Sequence, residues 1–77
     1  MSTLTPKDKE GRYRLSVRFF EGCYPTRFHR QIVPEPDGLW EQKIGSSWVL
    51  YVSPNIDVSK VKRMLENLAD VHDVIIF

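Results

Sequence analysis

Cysteine is almost missing from this chain. Its 77 residues hold one, Cys23, so no disulfide within the chain can staple the fold. Glycine is scarce too. The four glycines stand isolated at positions 11, 22, 38 and 45, which leaves no glycine-rich cradle for a phosphate. Histidine occurs twice, at His29 and His72. With Cys23 these are the only soft ligands, and nothing resembles the paired Cys-x-x-Cys knuckles of a zinc site. No metal and no cofactor are expected. Long apolar runs are absent as well: the longest, WVLYV at 48–52, is far short of the ~20 residues that cross a bilayer. The first eleven residues, MSTLTPKDKEG, are polar and do not resemble a signal peptide. No membrane role is expected, and the free thiol favours a reducing, cytoplasmic setting.

Neither sign of charge dominates, since the net charge is +1. The distribution is uneven, however. Residues 1–34 carry seven basic and three acidic side chains, a balance of +4; residues 35–77 carry four and seven, a balance of −3. The first half is therefore a candidate anion-facing surface. The whole chain is still far from the strongly basic balance of a dedicated nucleic-acid binder.

What is present is apolar and aromatic material, 42% of the residues, with four Phe, three Tyr and two Trp. A chain of this length forms one domain and hides only about 60% of its unfolded surface, so its stability rests on packing or self-association. Residues 1–11 read as a disordered lead and 12–77 as a single domain. RYRLSVRFF at 12–20 alternates, with Tyr13, Leu15, Val17 and Phe19 on one side and Arg12, Arg14, Ser16, Arg18 and Phe20 on the other. That is a half-buried strand. TRFHRQIV at 26–33 alternates less cleanly and reads as a second strand, or else as irregular structure. Pro34-Glu-Pro-Asp-Gly38 is the strongest turn signal. LWEQKI at 39–44 is a short strand, and WVLYV, apolar throughout, suits a central one.

The last thirty residues form a strand–helix–strand unit. Asp57 suits a helix N-cap, and Ile56 and Val61 occupy the two positions of a hydrophobic staple around it. Val58, Val61, Met64, Leu65, Leu68 and Ala69 fall on one arc of a helix spanning about 57–70. VIIF at 74–77 closes the chain as a strand. A right-handed crossover would set it parallel to the Trp48 strand. The fold class is α+β: a small four- to five-stranded sheet, one helix on one face, and the other face open.

Catalytic constellations are poor. A cysteine with a nearby base is a nucleophile pair, but the stretch from Cys23 to Arg30 places His29 where a Cys-x5-Arg phosphate loop needs arginine. His29 and His72 lie in separate elements, and His72 suits a helix-terminal carbonyl partner. A small metal-independent hydrolase or nuclease using His29 or Cys23 is the weakest reading; the chain reads as non-enzymatic. One constellation invites binding: Arg14, Arg18, Phe20, Arg27, His29 and Arg30, with Arg12 beside them and Trp40 after the proline turn. Arginine and tryptophan are enriched at interface hot spots. The expected function is that of a small accessory or inhibitor protein that binds another protein, or a second copy of itself. The open sheet face or the 34–41 loop would carry the contact. The alternative is a single-stranded nucleic-acid binder, because arginines and aromatics on a sheet can pair phosphates and stack bases. The glycine-containing octamer of four-stranded RNA-binding sheets is absent, and no small-molecule substrate is indicated.

Overall fold

The computed structural model describes residues 11–77. The expected disordered lead therefore lies, apart from Gly11, outside the described residues. The elements are β1 (Tyr13–Phe19), α1 (Arg27–Ile32), β2 (Gly38–Ile44), β3 (Ser47–Val52), α2 (Val58–Glu66) and β4 (Val71–Ile76). The four strands make one sheet in the order β2-β3-β1-β4, and every neighbouring pair is antiparallel. Since β3 and β4 both oppose β1, they run parallel to each other with β1 inserted between them. This is a split βαβ, the ferredoxin-like arrangement. The direction expected for the final strand holds, and the inserted β1 is what the sequence did not disclose.

Two expectations are corrected. Among the described residues there are two helices rather than one, because 26–33 is not a strand: Arg27–Ile32 is the helix α1. The residues buried there are His29 and Val33, with Ile32 partly covered. That spacing is helical, and Phe28, which a strand reading would bury, is 75% exposed. The second correction is to the end of α2, which stops at Glu66 instead of about 70. Asn67 caps it, and Leu68 N–H to the Leu65 carbonyl followed by Val71 N–H to the Leu68 carbonyl turn the chain tightly into β4. Its start agrees with the sequence: Asp57 is the N-cap, and its carboxylate accepts from the N–H groups of Ser59 and Lys60.

Both helices lie on the same side of the sheet. Leu15, Val17 and Phe19 of β1 meet Leu50 and Val52 of β3, Val71 and Val74 of β4, Val61 and Leu65 of α2, and Val33 after α1. Each fully buried aliphatic side chain in such a core contributes roughly 1.5–3 kcal/mol. Ile56 packs against this cluster beside Val61, as a staple requires. Gly38, at the start of β2, comes close to Val33. A Cβ there would overlap the Val33 carbonyl oxygen and lie 2.8 Å from the Val33 Cβ. The opposite face of the sheet carries no helix among the described residues. No helix among them is long and apolar enough to cross a membrane.

Candidate interaction site

Strand alternation puts Arg14, Ser16 and Arg18 on the face away from the helices. The register sets Arg14 opposite Tyr51, Ser16 between Val49 and Ile75, and Arg18 between Ser47 and Asp73. This face divides into two halves. Over β2 and β3 it is closed: Val49 is buried, and Tyr51, 8% exposed, donates its hydroxyl proton to Glu41 Oε1 at 3.1 Å. Over β1 and β4 it is open and alternates between apolar and charged groups. Phe20 is 48% exposed, Ile75 53% and Phe77 70%.

Two arginines stand in that open half, and both are engaged. Arg18 donates from Nε and Nη2 to the two carboxylate oxygens of Asp73, at 2.9 and 2.6 Å. The fork is planar and charge-assisted. It holds the Asp73 carboxyl below the usual carboxylate range, chiefly through the hydrogen bond from Arg18. Arg14 lies over the Phe77 ring, its guanidinium carbon 5.6 Å from the ring centroid. Phe20 meets His72 edge to face, with centroids 5.0 Å apart. Along the strand direction the strip therefore reads Phe20 with His72, Arg18 with Asp73, Ile75, then Phe77 with Arg14.

The residues that the sequence offered as partner-binding thus separate. Arg14, Arg18 and Phe20 come together on the open strip. Arg27 is exposed on α1, on the helix side. Arg30 lines a cavity of about 160 Å³ together with Glu35, Gly38 and Trp40. Trp40 is partly buried and faces the core, 6.0 Å from the Phe19 ring. Neither tryptophan is free: Trp48 also packs against the core.

His29 is interior, 3% exposed, with its ring edge-on to Phe19 at 5.1 Å. Its Nδ1 accepts from the Thr26 N–H at 2.9 Å, and Thr26 Oγ1 lies 2.9 Å from the same atom. Nε2 has no hydrogen-bond partner among the described residues; Asp70 Oδ2 is 3.9 Å away. Burial lowers the His29 pKa, against an upward pull from Asp70 and with a smaller lowering from Arg30. No hydrogen bond joins Cys23 to His29 among the described residues. Nor do three metal-ligating side chains converge among them.

His72, Asp73, Ile75 and Phe77 are the strip residues that sequence reasoning missed. For the last three the signal was available: period-two alternation in DVIIF places them on one face. No protein-family model matches the chain, and comparison with curated proteins and with solved structures finds no significant match in either.

Proposed function

We propose that this protein is a non-enzymatic binding module whose partner is another protein, docked on the open strip over β1 and β4. The observation that carries this reading is the exposure of Phe20, Ile75 and Phe77 in one line while the arginines between them are held in place. Apolar groups spaced by anchored arginines suit a protein interface, where desolvated aromatic and arginine side chains supply most of the affinity. A single-stranded nucleic acid needs flat aromatic platforms on the central strands and unneutralised cations along its backbone. Here the central strands present Arg14, Ser16 and Arg18 beside Ser47, Val49 and Tyr51, with the tyrosine ring covered and Arg18 neutralised by Asp73. The single free Cys23 suits a reducing, cytoplasmic setting for such a module.

The test is a titration against single-stranded oligonucleotides at low and moderate salt, run beside affinity capture with the wild type and with Phe77→Ser. The expected results are no oligonucleotide binding at low salt and retained proteins that the variant loses, with little dependence on salt. Tight oligonucleotide binding that weakens steeply with salt would overturn the reading.

A further inference from the structure

Among the described residues the strip ends at an unpaired edge of the sheet, and that edge fits a copy of itself. We infer that two chains associate by antiparallel pairing of their β4 strands, giving a continuous eight-stranded sheet with the two-fold axis at Ile75. The inference rests on the proposed function and names the partner at the same site.

The two edges of the sheet differ. An exposed edge invites strand addition unless something blunts it. The β2 edge is blunted by a bulge between Gln42 and Ile44 and by the charged Glu41 and Lys43. β4 has a register shift of its own, at His72, and an acid at Asp73, but its second half is Val74, Ile75 and Ile76, followed by Phe77, and it carries no proline, lysine or arginine. Among the described residues no strand lies beyond it.

Hydrogen-bond parity then selects the axis. Phe77 N–H donates to the Arg14 carbonyl at 3.0 Å, so Phe77, and by alternation Ile75 and Asp73, direct their backbone groups inward to β1. Val74 and Ile76 direct theirs outward. An axis at Ile75 sets Val74 opposite Ile76 of the second copy, so these two exchange both backbone bonds, and the symmetry repeats them. Ile75 then meets Ile75 of the second copy as a non-hydrogen-bonded pair, with Cα atoms about 4.5 Å apart and side chains in contact.

Charge complementarity favours this register. On the open face it places Asp73 of one copy opposite Phe77 of the other, next to the Arg14 guanidinium stacked on that ring. At both ends of the junction the Asp73 carboxylate, already forked to Arg18 of its own chain, thus faces the Arg14 guanidinium across the Phe77 ring, and the apolar Ile75 pair lies between them. The two strips become one surface across the dimer.

The experiment is sedimentation velocity on the full chain from about 1 μM to about 1 mM. The wild type is expected to pass from monomer to dimer with rising concentration. Ile75→Lys places two ammonium groups face to face at the axis and is expected to raise the dimer dissociation constant at least about tenfold, with the monomer's circular dichroism unchanged. A second measurement covers the case in which that variant folds poorly. In a Cys23→Ser background, Ile75→Cys should form an intermolecular disulfide under a glutathione buffer much faster than the control Lys43→Cys on the other edge, since the Cα spacing at the axis suits one. A protein that is monomeric throughout the range overturns the inference, as does a dimer whose Ile75→Cys crosslinks no faster than Lys43→Cys. Neither result touches the proposed function, because a different protein could still occupy the strip. That reading stands or falls on the oligonucleotide titration and the Phe77→Ser capture.

Discussion

The Thr26 backbone N–H points at Nδ1 of His29 across 2.9 Å, one half of a capping box at the first turn of α1. Because Nδ1 accepts, the neutral ring carries its proton on Nε2, toward Asp70. A proton added to Nδ1 would set donor against donor at the helix start. The reach of residue N3 back to the N-cap N–H is the role that Glu or Gln plays in a capping box. Here a buried imidazole fills it.

A pH dependence follows. Burial keeps the folded-state pKa of His29 below its ordinary 6.5. The unfolded chain therefore takes up the proton first as pH falls, and stability declines with it. The His29 contribution is complete above about pH 6.5 and is lost progressively as pH drops toward the lower folded value. Urea midpoints measured from neutral pH to about pH 5 should fall for the wild type. His29→Gln retains an acceptor for Thr26 and cannot titrate, so its midpoint should stay flat over the same interval, although lower throughout for lost packing on Phe19. A wild-type midpoint independent of pH would mean that His29 titrates as it does in the unfolded chain.

Leu65 and Met64 are neighbours on α2 with opposite fates. Leu65 is fully buried among Leu15, Leu50 and Val61, whereas Met64 is exposed. Leu65→Ala should cost roughly 2–5 kcal/mol through lost contact and a residual cavity. In a domain this small that approaches the whole stability. Met64→Ala should change it by no more than about 0.5 kcal/mol. Thermal melts of the two variants check both. Equal effects would mean that the helix is rotated from the arrangement described.

Most of the fold was legible because its apolar periods are clean. The alternation of Leu15, Val17 and Phe19 and the Asp57 cap with Val61 and Leu65 each announce their element and its buried side. α1 was not legible for a specific reason. Its innermost member is a histidine, and its most apolar side chain, Phe28, faces water. A pattern reading that counts apolar residues therefore sees Phe28 and Ile32 and infers a strand. The helical cues lay in Thr26, in Pro25 and Pro34 bracketing the segment, and in the spacing of His29, Ile32 and Val33. The binding strip was half legible for a related reason. Arg14, Arg18 and Phe20 stand out as charged or aromatic, while Ile75 and Phe77 sit in the apolar run VIIF and leave the core because they share Asp73's face of β4, which no helix covers among the described residues.

Gly38 should tolerate no side chain. Its backbone presses on Val33, so Gly38→Ala forces the start of β2 away from the end of α1. The expected loss is about 1–3 kcal/mol, the ordinary cost of overpacking. The displacement would also disturb the cavity beside Trp40. Chemical denaturation measures the first effect, and a change in tryptophan emission of the folded protein reports the second. A variant as stable as the wild type would show that the two segments separate freely.

The Arg18–Asp73 fork links β1 to β4 on an exposed face, and exposure decides how much it matters. Water screens both partners, so the pair should govern local ionisation far more than stability. The Asp73 carboxyl, held low chiefly by the Arg18 hydrogen bond, should return toward the ordinary carboxylate value in Arg18→Gln. High salt should move it the same way in the wild type, because the charge component is screened. A depressed carboxylate pKa stabilises the fold above its unfolded value and loses that contribution as pH falls through the folded one. Any effect of Arg18→Gln on stability should therefore vanish in acid. Carbon-detected NMR titration of the aspartate carboxyls, with melting temperatures at neutral and acidic pH, tests each step. A large drop in melting temperature that persists in acid would show that Arg18 acts through packing of its stem across β4 instead of through its charge.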